Sequence, residues 1–128
     1  MREIAQYMRL EVTERMVLSS ANEDYFGLYE IIWELNSTFP QEGLGEKYAA
    51  AEAAVRSLLA RGWIQLYRRK GGFNRDSPTY EPVELDTIEE VLSNPVSWYP
   101  EYANERIECT ATEDGERAYY AGALQPTA

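Results

Sequence analysis

Apolar residues recur every fourth position at the start of the chain, at Ile4, Met8, Val12 and Met16, which lays one stripe along a helix over 3–18. Arg9, Glu11, Glu14 and Arg15 fill its other side. Ser19-Ser20-Ala21-Asn22 breaks the stripe, and Ser20 followed by Glu23 has the spacing of a capping box. A second helix is expected over 23–38. There Tyr25, Leu28, Tyr29, Ile32, Leu35 and Phe39 keep the i, i+3, i+4, i+7 rule opposite Glu23, Gly27, Glu30 and Glu34. Pro40 ends it, since proline cannot continue the backbone ladder, and Trp33 at the stripe's edge reads as core packing.

After a short loop, Leu44, Tyr48, Ala51, Val55, Leu58 and Leu59 give the buried face of a third helix over 46–61. Its outward face carries Lys47, Ala50, Ala53, Ala54, Ser57 and Arg61. Gly62 suits the left-handed position just past a helix. The run Trp63-Ile64-Gln65-Leu66-Tyr67 reads as a strand, extended by Arg68-Arg69-Lys70 into a Gly71-Gly72 turn. Further on, 79–83 is a weak strand interrupted by Pro82. Asp86 with Glu89 starts a short helix whose apolar face is Ile88, Val91 and Leu92, ending at Asn94-Pro95. Trp98-Tyr99-Pro100-Glu101-Tyr102 is an aromatic loop that either caps the core or faces a partner. Ile107, Cys109 and Ala111 share one face of a strand over 106–111, and Thr112-Glu113-Asp114-Gly115 opens a last helix with carboxylates at the positive end of its dipole.

A length of 128 residues fits one domain, and 45% hydrophobic with 27% charged residues is a globular composition. No apolar run reaches membrane-spanning length, so no membrane partner is expected. One cysteine excludes an internal disulfide framework and agrees with a reducing, cytoplasmic setting. Charge changes the picture more. The net charge is −10, yet between Glu52 and Asp76 there is no acidic residue, while Arg56, Arg61, Arg68, Arg69, Lys70 and Arg75 all fall there. This window therefore carries +6, and the other 6 basic residues stand against 22 acidic ones, or −16. Such asymmetry can steer a partner, although a basic run is also an ordinary solvated surface.

Leu58-Leu59-Ala60-Arg61-Gly62-Trp63-Ile64, followed by Thr110-Ala111-Thr112-Glu113-Asp114-Gly115 before a further helix, resembles the winged-helix superfamily of bacterial regulators, with a pattern nearest the MarR and PadR types. The resemblance covers roughly 24–120. It implies an α+β fold, mainly α, in a winged helix-turn-helix-like arrangement. An added N-terminal helix, a small antiparallel β wing, an inserted helix and a C-terminal helix complete it. The whole of 1–128 is then one domain: a leading helix over 1–19, a helical core with the first wing strand over 23–70, a wing insertion over 71–105, and the return strand with the last helix over 106–124. Residues 49–61 take the place of the recognition helix.

Two functions follow as expectations. The first is DNA binding in transcriptional control, as a homodimer, with phosphates held by Arg68, Arg69, Lys70 and Arg75 at the wing and by Lys47, Arg56 and Arg61 on the third helix. The second is a winged helix recruited for protein–protein interaction without DNA, its partner surface at Trp98, Tyr99 and Tyr102. The alanine-rich outward face favours the second, since bases are read chiefly by Arg, Lys, Asn and Gln. No catalytic residue, metal ligand or cofactor is expected. The chain has no histidine, the commonest proton shuttle, and Cys109 alternates with apolar neighbours as a buried thiol does. Gly43-Leu44-Gly45-Glu46-Lys47 lacks phosphate-loop spacing.

Overall fold

The computed structural model describes residues 10–72 and 77–124. Ile4, Met8 and Arg75 lie outside the described residues. Helix α1 (Leu10–Glu23) leads through the two-residue strand β1 (Phe26–Gly27) into α2 (Leu28–Thr38) and α3 (Leu44–Ala60). Strands β2 (Ile64–Lys70) and β3 (Thr79–Pro82), helix α4 (Ile88–Ser93), strand β4 (Glu105–Ala111) and helix α5 (Glu113–Tyr120) follow, with 3-10 turns at Leu85–Thr87 and Pro95–Trp98. The architecture is α+β, mainly helical, with an antiparallel sheet in the order β1-β4-β2-β3.

Alternation along β2 and β4 puts Ile64, Leu66, Ile107 and Cys109 on one face, where they join Val17, Leu18, Leu28, Ile31, Leu35, Ala51, Val55 and Leu58 in one core. Gly62 has φ +74°, and Trp63 donates its amide to Leu58 across the corner, so the chain leaves α3 directly into β2. Gly71 and Gly72 have φ of +76° and +78°, conformations that glycine reaches without strain. β3 then pairs back along β2 from Lys70↔Thr79 to Tyr67↔Pro82. Proline is tolerated there because β3 is an edge strand. On the other side of β2, β4 runs in register from Ile64↔Ala111 to Lys70↔Glu105.

The leading helix departs from expectation in both position and facing. It continues through 19–22 to Glu23, and its buried residues are Thr13, Glu14, Val17, Leu18 and Ala21, with Val12 and Met16 at the margin. The polar residues at 19–22 are used by neighbouring elements. Ser20 Oγ donates to Glu34 at 3.1 Å, Ser19 meets the Tyr119 hydroxyl at 3.4 Å, and Thr110 Oγ1 donates to the Ala21 carbonyl at 3.4 Å. Tertiary partners thus replace the local capping that these side chains otherwise offer. The expected helix over 23–38 is correspondingly shorter. Its first residues form a bend and β1, Gly27 takes the N-cap position, and the Glu30 carboxylate accepts the Gly27 amide at 2.8 Å.

The loop over 41–43 closes the same way, with Glu46 accepting from the Gly43 amide at 3.0 Å. On α3, Lys47 and Ala54 are buried and Leu44 is exposed, so the inward face is turned from the expected one. The cause for Lys47 is a polar partner: its Nζ donates to Asn36 Oδ1 at 2.9 Å, which offsets part of the cost of burying it.

Candidate interaction surface

The paired strands β2 and β4 and both ends of α3 hold the expected cations, and each described one is already engaged. Arg56 pairs with Glu52 at 2.7 Å and with Glu89 of α4. Those two carboxylates hold its guanidinium pKa above the usual value, Glu52 contributing most. Arg61 lies 3.5 Å from the fully buried Glu14 and 4.8 Å over the Trp63 ring. Arg68 faces Glu105 at 3.6 Å and Lys70 faces Glu81 at 3.1 Å, both half-exposed pairs. Such pairs contribute about 0–1 kcal/mol each, but they leave the hairpin nearly neutral.

Arg69 is committed more deeply. Its guanidinium donates to the carbonyls of Gly71 at 3.2 Å and Gly72 at 2.8 Å and lies 3.4 Å from Glu108. Arg106, directly opposite Arg69 in the ladder, bonds the same Glu108 carboxylate and reaches the Tyr29 hydroxyl at 3.0 Å. A buried carboxylate between two arginines on facing strands clamps the hairpin shut.

The aromatic cluster divides. Trp98 is a core residue rather than a partner surface: it is buried, its indole N–H donates to the Leu92 carbonyl at 3.1 Å, and Tyr48 packs edge-on against it at 5.8 Å. A 3-10 turn started by Asn94, whose side chain accepts from the Val96 amide, turns the ring inward. Tyr99 and Tyr102 remain outside, 44% and 56% exposed and edge-to-face at 6.1 Å. They are held in place by backbone. Tyr102 and Glu105 exchange both amide–carbonyl bonds, at 2.9 and 3.0 Å, around Ala103 and Asn104 at φ +53° and +64°. Alanine in the left-handed region costs about 1 kcal/mol, and the Asn104 carbonyl secures this turn by accepting the Gly71 amide at 2.9 Å.

Trp33, expected in the core, is 58% exposed. The signal was present in the sequence: its neighbours one helical turn away are Tyr29, Glu30, Asn36 and Ser37, so it stands off the Leu28–Ile32–Leu35 stripe. Burial pushes the Cys109 thiol pKa far up, which keeps the sulfur protonated and unreactive. Among the described residues, no group of three or more His, Cys, Asp or Glu side chains is placed to hold a metal ion, and no helix is long and apolar enough to cross a membrane. No family model, curated protein or solved structure matches this chain.

Proposed function

We propose that this chain is a winged-helix-like module for protein–protein interaction, with the exposed tyrosines of its hairpin insertion as the contact surface. The winged-helix reading is supported by the succession helix, short strand, helix, helix, strand, returning strand, with β1 paired to β4 beside the β2–β4 hairpin. On that reading α1 is the first helix of the motif itself, rather than an addition to it, and 71–104 is inserted in the wing.

One observation carries the choice against DNA. Every described cation that would contact phosphate has an acceptor of its own within the chain: Lys47 on Asn36, Arg56 on Glu52 and Glu89, Arg61 on Glu14, Arg68 on Glu105, Arg69 on Glu108 and Lys70 on Glu81. A phosphate approaching the hairpin meets those carboxylates as well as the cations. The exposed side of α3 offers Ala49, Ala53, Glu46 and Tyr48, a poor set for reading base edges. Tyr99 and Tyr102, by contrast, present rigid aromatic area at small entropic cost, which is what interface anchors do.

The test is site-specific photocrosslinking in the cells that make the protein, with a benzophenone side chain at position 99 or 102 and at the exposed position 113 as reference. A discrete protein adduct from 99 and 102, absent from 113, is expected. Adducts confined to nucleic acid, or identical patterns from all three positions, would refute the assignment.

A further inference from the structure

A cleft of about 360 Å³ opens where the C-terminal end of α1 meets β1 and α2, lined by Glu23, Asp24, Tyr25, Glu30, Trp33 and Glu34. Its charge is unlike that of the hairpin. Four of these lining residues are acidic and none is basic. Their hydrogen bonds come from neutral donors: the Tyr25 amide to Asp24 at 2.7 Å, the Gly27 amide to Glu30 at 2.8 Å and the Ser20 hydroxyl to Glu34 at 3.1 Å. The last turn of α1 holds no basic residue, so the negative end of its dipole adds to the same field. Partial burial, together with repulsion from Glu30 and Glu23, raises the Glu34 pKa, against the lowering effect of the Ser20 hydrogen bond.

The walls are aromatic and fixed. Tyr29 meets Trp33 edge-on at 4.8 Å, and the Arg106 guanidinium sits 5.3 Å over the Tyr29 ring. Across the cleft Tyr25 stacks on Tyr80 at 4.2 Å and meets Tyr67 at 5.4 Å. Trp33 thus leaves most of its surface to solvent while its position is set from behind. An indole face beside a cluster of carboxylates attracts an organic cation twice, through the ring quadrupole and through charge. A planar guanidinium can stack on the ring and hydrogen-bond a carboxylate at once.

We propose that this cleft receives an arginine side chain from a basic peptide segment of a protein partner. The occupant is set by charge complementarity: phosphate-bearing ligands are repelled, the carboxylates are not placed as metal ligands, and the open, half-walled shape suits one long side chain better than an enclosed small molecule. The inference rests on the interaction-module reading only for there being a partner. The cleft lies on α1 and α2, apart from Tyr99 and Tyr102 in the insertion, so each surface can fail without the other.

The probe is a fluorescein-labelled nonapeptide of alternating arginine and glycine, followed by anisotropy at salt near 0.15 M, where long-range attraction is largely screened. Saturable one-to-one binding is expected. Trp33→Ala should weaken it roughly fivefold, and Glu23→Gln with Glu34→Gln on the order of tenfold. Glu84→Gln with Asp86→Asn, an equal loss of charge away from the cleft, should change affinity by less than about twofold. All of these side chains are partly or fully exposed, so folding is retained, and far-UV circular dichroism verifies it. The assignment is overturned if the wild type does not saturate, if Trp33→Ala binds unchanged, if the reference variant weakens as much as the cleft variant, or if a citrulline peptide of the same sequence binds equally well.

Discussion

Glu108→Ala is expected to lower the free energy of unfolding by about 3–5 kcal/mol. Arg69 and Arg106 are register partners across β2 and β4, and their side chains are only 16% and 17% exposed. Removing the carboxylate leaves two guanidiniums facing each other across the ladder in a site that water barely reaches. Like charges in such a pair repel, and the cost of their desolvation is no longer offset. Glu105→Gln makes the comparison, because it breaks only the half-exposed pair with Arg68, which is worth at most about 1 kcal/mol. Urea unfolding of the two variants separates these cases. Equal losses would mean that Glu108 does not clamp the hairpin.

Gly115→Ala should cost about 3 kcal/mol and lower Tm by roughly 10 °C. A methyl group built on Gly115 would lie 1.9 Å from the Trp63 carbonyl oxygen. That oxygen is backbone and cannot swing away. It also accepts the Thr112 amide at 3.0 Å, while the Thr112 hydroxyl donates to the Gly62 carbonyl and caps α5 by accepting the Gly115 amide. The added carbon therefore pries α5 from the α3–β2 corner and strains the cap together with the contact. Differential scanning calorimetry reads the shift, and a Tm within about 2 °C of wild type would show that the corner yields cheaply.

Both positions show what could be read from sequence. Thr112-Glu113-Asp114-Gly115 announced a helix start, and it is one. The glycine, however, is required by the Trp63 backbone some fifty residues away, not by its own φ. The extents of α3, β2 and β4 and the Gly62 corner were legible because each combines a local period with a local stop, although α3 turns a different face inward. The end of α1 was not. Ser19, Ser20 and Asn22 carry the chemistry of a break, and only Tyr119, Glu34 and Tyr120 across the fold turn them into helix. The candidate surface was legible in composition, but its ion pairing was not. The basic window is real, but the acids that neutralise it come from outside its own span or from its edge: Glu14, Glu52, Glu81, Glu89, Glu105 and Glu108. Charge counted along the chain cannot see charge paired across it. Among the aromatic residues, Trp33 was expected in the core and is exposed, and of the two readings open for the Trp98–Tyr102 loop Trp98 takes the core cap. Trp98 found a core pocket and a carbonyl for its indole, whereas Trp33 fell on the polar side of α2.

On the proposed reading, the hairpin cations serve the chain's own carboxylates rather than phosphates. That reading is tested most directly by anisotropy of a labelled mixed-sequence DNA duplex over a salt series, with wild type and with Arg68→Ala/Lys70→Ala. Arg69 is left in place in that variant because it holds Glu108. No binding at about 0.15 M salt, and no difference between the two proteins at lower salt, is the predicted result. Saturable binding whose affinity falls steeply with salt, with a shallower slope in the double variant, would place phosphates on the hairpin and contradict the account.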